Sequence, residues 1–134
     1  MTAKYIRARL EEAADTLRRL PMPREMGGLR GGKSTMPDYV QSAQEAYGYT
    51  QAEAPRIPPS AEAIDRMDEA LAWLRWLPER EGRLVWMRSM RIGWKRVTEE
   101  FHCDRTTAWR HYTAAIMVIA ARVDSDIEHS IRAA

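Results

Sequence analysis

The chain has 134 residues, a mass of 15.5 kDa and a formal net charge of +2. That length suits one domain around a single modest core, and the scarcity of β-branched residues favours an all-α fold. The one cysteine rules out an internal disulfide and fits a reducing, cytoplasmic setting. No apolar run approaches the roughly 18 residues that a membrane span requires. The arginines near the N-terminus are interrupted by Glu11, Glu12 and Asp15 rather than followed by a signal-peptide core.

Residues 2–20 carry Ile6, Leu10, Ala13, Leu17 and Leu20 at spacings of four, three, four and three, which predicts an amphipathic helix. Pro21 and Pro23 end it, so the N-terminal helix is assigned to 1–21. Residues 22–59 form a Gly/Pro-rich loop region with a short helix expected over 38–49, and Pro55, Pro58 and Pro59 stiffen its end. The run Gly27-Gly28-Leu29-Arg30-Gly31-Gly32-Lys33-Ser34 matches the spacing of a phosphate-binding P-loop. Its context does not, because no apolar strand precedes it and Pro37 falls where a helix should be running. Arg30 and Lys33 are therefore read as loop contacts to phosphate, without nucleotide hydrolysis.

Ser60 is a good N-cap for a core helix assigned to 60–78, with Ile64, Met67, Leu71 and Leu74 on one stripe. Trp73, Trp76 and Leu77 widen that stripe, and Pro78 stops the helix. Asp65, Asp68 and Glu69 are read as a solvated acidic face rather than a metal site. No nucleophile arrangement and no zinc-ligand spacing is present, so neither an enzyme nor a cofactor is expected.

Charge is unevenly distributed. Residues 1–35 hold eight basic and four acidic side chains, 36–82 four and nine, 83–122 eight and three, and the remaining tail one and three. The strongest positive block thus coincides with 82–123, which reads as a helix-turn-helix. Leu84, Val85, Trp86, Met87 and Met90 mark its first helix, and Trp94, Val97 and Phe101 its second. His102-Cys103-Asp104 forms the break, and Asp104 caps the third helix. Ala108, Tyr112, Ala115, Ile116 and Ile119 share its inner face, while Thr106, Arg110 and Thr113 lie opposite. Ile127 and Ile131 extend the apolar periodicity through 124–134, a C-terminal helix extension or tail.

The segment Trp94-Lys95-Arg96-Val97, with Cys103-Asp104-Arg105-Thr106-Thr107-Ala108-Trp109-Arg110, resembles the helix-turn-helix of sigma-factor region 4 and of phage late-gene activators. With Thr16-Leu17-Arg18-Arg19-Leu20-Pro21, Ala46-Tyr47-Gly48-Tyr49, Arg66-Met67-Asp68-Glu69-Ala70-Leu71 and Leu84-Val85-Trp86, most of the chain is similar to a prophage-associated helix-turn-helix family of alphaproteobacteria. The resemblance implies binding to double-stranded DNA and names no target. In such a reader Arg105, Thr106, Thr107, Trp109 and Arg110 meet base edges. Arg83, Arg88, Arg91, Lys95, Arg96 and Thr113 meet phosphates. The expected function is a sequence-specific transcriptional regulator of phage or prophage type. A polymerase-binding adaptor and a small-terminase-like packaging protein are the alternatives. A second copy of the chain and RNA polymerase are the further candidate partners; a membrane is not.

Overall fold

The computed structural model describes residues 2–20, 36–43, 45–46 and 57–133. The glycine-rich run 27–34, with Arg30 and Lys33, and the tyrosines at 47 and 49 lie outside them. Among the described residues the fold is all-helical, with six α-helices and no strand.

Helix α1, Ala3–Arg19, opens on Thr2, whose side-chain oxygen accepts from the Tyr5 N–H at 3.2 Å. Helix α2 is Asp38–Ala43; positions 44 and 47–49 of the helix expected to 49 lie outside the described residues. Helix α3, Ala61–Leu74, opens on Ser60, which accepts from the Ala63 N–H at 3.1 Å. Helices α4 (Glu79–Ser89), α5 (Trp94–Phe101) and α6 (Arg105–Ala133) complete the chain. At about 1.5 Å per residue α6 is roughly 43 Å long.

The periodic seams of α1 and α3 find each other, and this pair makes the most extensive contact in the molecule. Ile6, Leu10 and Ala13 pack against Met67, Ala70, Leu71 and Leu74, all buried. Ion pairs flank the seam. Arg66 donates to both carboxylate oxygens of Glu12 at 3.0–3.2 Å, which holds that carboxyl below the usual glutamate range. Arg9 sits between the Tyr5 and Trp73 rings, 5.7 and 5.0 Å from their centroids, and donates to Glu69 at 2.6 Å. Burial opposes its charge, yet hydrogen bonds to Glu69 and Tyr5 more than offset this. Glu69 thus belongs to an interhelical pair, although its sequence neighbours make it look like part of a solvated acidic face.

Two apolar clusters result. The larger joins α1, α2 and α3 to Val85 and Trp86 of α4 and to Ala115, Ile116, Ile119, Ala120 and Val123 of α6. The smaller gathers Leu84 and Met87 of α4, Val97 and Phe101 of α5, and Ala108 of α6. Ile92 and Tyr112 touch both clusters. On the α2 side, glycine at 82 lets the Tyr39 hydroxyl lie against α4, where a Cβ would displace it.

Trp86 is fully buried in the larger cluster, and its indole N–H has no hydrogen-bond partner. Trp86→Ala is expected to lower stability by about 3–5 kcal/mol. Trp86→Phe, which also removes the unpaired donor, should cost about 1.5 kcal/mol or less. Urea denaturation of the two variants measures the difference.

Candidate nucleic-acid interface

Helices α4, α5 and α6 form a trihelical unit whose two turns each contain one left-handed residue, Arg91 with φ 64° and His102 with φ 54°. At His102 the chain leaves α5 in a tight C-cap, with the Cys103 N–H donating to the Thr98 carbonyl at 3.3 Å. Asp104 then starts α6. Its carboxylate accepts from the Thr107 N–H at 3.0 Å, and its own carbonyl accepts from the Ala108 N–H at 3.0 Å. Hydrogen bonds from Thr107 hold the Asp104 carboxyl below its ordinary value. The capping charge is therefore complete above the unfolded aspartate pKa and is lost only as pH falls through the lower folded value.

Ala108 presses α6 onto the small cluster, and this contact sets which residues face outward. Thr106 and Arg110 are exposed, Trp109 is 53% exposed, and Thr113 is half-buried. At 100° per residue these four share an arc of about 100° on the first turns of α6. Thr107 lies beyond one edge of the arc, half-buried and engaged with the cap. Arg105 lies beyond the other edge, where it approaches the Trp94 ring to 5.9 Å.

The basic residues around this helix fall into two groups. Arg91, in the α4–α5 turn, and Lys95 and Arg96, in the first turn of α5, are exposed. Arg83 is committed within the fold, pairing with Glu100 at 3.1 Å and lying 5.1 Å from the Phe101 ring centroid. Arg88 is half-buried: its guanidinium stacks 4.3 Å over Trp94 and donates to the Ile92 carbonyl at 2.6 Å. Two further residues enter to which the sequence assigns no contact at the site. Arg80 donates to the Phe101 carbonyl at 2.9 Å, satisfying the end of α5. Trp94, legible in sequence only as a core residue, is half-buried and receives Arg88 from α4 and Arg105 and the Tyr112 edge from α6.

Among the described residues no group of three or more His, Cys, Asp or Glu side chains is arranged to hold a metal ion. No described helix is long and apolar enough to cross a membrane. What the unit presents is an exposed helix start with threonine, tryptophan and arginine side chains, flanked by exposed arginine and lysine side chains.

Because His102 holds a left-handed conformation, the turn is sensitive to β-branching there. His102→Val is expected to lower stability by about 1–2 kcal/mol. His102→Gly, which meets no such penalty, should melt at or above the wild-type temperature. Thermal unfolding followed by circular dichroism checks both.

Neither a curated protein nor a solved structure matches the chain. One protein family does, described as Domain of unknown function (DUF6362), over residues 18–119. That span runs from the end of α1 to the middle of α6 and takes in α4, α5 and the first half of α6. The chain belongs to the DUF6362 family.

Proposed function

We propose that this protein is a sequence-specific reader of double-stranded DNA, a transcriptional regulator of phage or prophage type, with α6 as its recognition helix. The observation that supports this reading best is the outward arc of Thr106, Trp109, Arg110 and Thr113 at the capped start of α6. An α-helix presenting such side chains fits the major groove, where arginine pairs with guanine and threonine meets base edges or the thymine methyl. Arg91, Lys95 and Arg96 stand beside that arc and supply phosphate contacts, which fix register without reading sequence.

Fluorescence anisotropy with fragments of the native genomic neighbourhood, repeated over a salt series, tests the reading. One fragment should bind well above random DNA. Arg110→Ala should remove about 1–3 kcal/mol of that preference. Lys95→Ala should weaken all fragments alike and flatten the salt dependence by roughly one unit of slope. Absence of binding to any fragment at low salt overturns the reading. RNA polymerase subunits then become the next partners to assay.

The protein acts as a homodimer in this reading. Seven large hydrophobic side chains are exposed among the described residues, and five of them, Trp109, Met117, Val118, Ile127 and Ile131, lie on α6. Ala114, Met117, Val118 and Ala121 form a stripe turned roughly 80° around the helix from the reading arc, so pairing and reading can coexist. The stripe is its own complement when two copies run antiparallel, because alanine then faces alanine and Met117 faces Val118. This orientation also sets the basic start of one α6 towards the acidic Asp126 and Glu128 region of the other. At about 1.5 Å per residue the centres of the two reading arcs fall about 24 Å apart along the helix axes. Multi-angle light scattering should give twice the 15.5 kDa chain mass, and Met117→Glu should halve it with helix content unchanged. A monomer mass at high protein concentration removes the dimer.

A further inference from the structure

Arg9, Arg19, Arg66 and Arg83 are paired to carboxylates. Arg88 and Arg105 are not. Both instead gather on one indole, with their guanidinium carbons 4.3 and 5.9 Å from the Trp94 ring centroid. Stacking on an aromatic face orients a guanidinium and leaves its N–H edge available, and it does not neutralise the charge. Arg88 is further fixed by its hydrogen bond from Nη1 to the Ile92 carbonyl at 2.6 Å, while its buried Nε has no hydrogen-bond partner. The Tyr112 ring also packs on Trp94, in a T-shaped contact at 6.0 Å between centroids. Burial pushes the Tyr112 phenol up, with Glu11 of α1 adding to the rise and Arg7 and Arg88 opposing it.

Two guanidinium groups mounted on one ring, neither paired to a carboxylate among the described residues, form a positive pole that an anion completes. Their planar forks suit a phosphate, whose oxygens accept several N–H donors at once. The position agrees with the chemistry. Arg105 lies about 90° around α6 from the middle of the reading arc, on the side of α5, where a duplex seated on α6 presents its backbone rather than base edges.

We infer that Arg88 and Arg105, mounted on Trp94, are a clamp for a single backbone phosphate of the bound duplex. The inference rests on the DNA-reading proposal above and moves Arg105 from base reading to phosphate binding. Thr106, Trp109, Arg110 and Thr113 are left to discriminate sequence. Trp94 is a positioning residue, acting through the two arginines.

The test compares Arg105→Gln, Trp94→Leu and Arg110→Ala with wild type on specific and random duplexes across a salt series, with melting temperatures as a fold control. Arg105→Gln should weaken both duplexes about tenfold, equivalent to one charge-assisted contact, and lower the salt slope by roughly one unit while preserving their ratio. Trp94→Leu should give the same uniform weakening with both arginines present, and Trp94→Phe should restore part of it. A loss of preference in Arg105→Gln resembling that of Arg110→Ala overturns the clamp and makes Arg105 a base reader. Unchanged binding overturns it as well. A second arm titrates inorganic pyrophosphate against protein labelled for side-chain NMR. Saturable shifts of the Arg88 and Arg105 Nε–H and the Trp94 indole N–H support the clamp even if wild-type protein binds no duplex, in which case the DNA-reading proposal alone fails. Silence of all three signals, with no duplex binding, removes both.

Discussion

Helix α4 has to be buried on two sides at once, and the placement of the recognition surface follows from how that is achieved. Val85 and Trp86 point into the core built by α1 and α3, while Leu84 and Met87 point into the cluster shared with α5 and α6. A helix of eleven residues with apolar side chains on both faces holds little helical stability of its own and depends on tertiary cover. The α1–α3 pair covers one side, and α6 reaches past both clusters. The trihelical unit is therefore not a separable module. Its first helix is part of the wall of the larger core, and its third contributes Ile116, Ile119 and Val123 to the same core.

Much of this architecture was legible in the sequence where signals are local. The α1 boundaries and the start of α3 follow from a cap residue, an apolar seam and, for α1, a proline stop, whereas α3 ends at Leu74, short of the Pro78 expected to stop it. The break at 102–104 was legible because Asp104 is a good cap and the apolar period of α5 ends at Phe101. Long-range pairings were not. Arg9 and Glu69 lie 60 positions apart, and nothing near either residue shows that they meet beside Trp73. Glu69 was legible only as one carboxylate among helical neighbours, and its partner was fixed by the packing of α1 on α3. Trp94 is the same case within the site, because a tryptophan at an apolar position reads as core until the two arginines from other helices are seen on its ring.

Segment charge overstates the field available to a nucleic acid. Residues 83–122 hold eight basic side chains, yet Arg83 is neutralised by Glu100 and Arg122 lies 5.1 Å from the Trp76 ring centroid, turned back to α3 and its C-terminal turn. Apart from Arg122, which is exposed about three turns further along α6, the exposed positive charge of this segment lies at the α4–α5 turn, the first turn of α5 and the start of α6. Concentration of that kind matters more than the total. Over distances beyond about 8–10 Å, salt at physiological strength screens exposed charges from each other, so a few arginines in one place outweigh more of them dispersed.

The continuity of α6 joins these constraints. Its first turns present the reading arc, and its middle turns are held in the core by Ala115, Ile116, Ile119 and Val123. A helix is stiff over this length, so the arc is aimed by packing about 15 Å from the residues that would touch DNA. The alanines at 108, 115 and 120 are small enough for neighbouring helices to approach closely, and larger side chains there would lever the whole recognition end. Precision at the surface is therefore set by small residues in the interior. The left-handed His102 and the Asp104 cap fix where the helix begins, and the alanine contacts fix where it points.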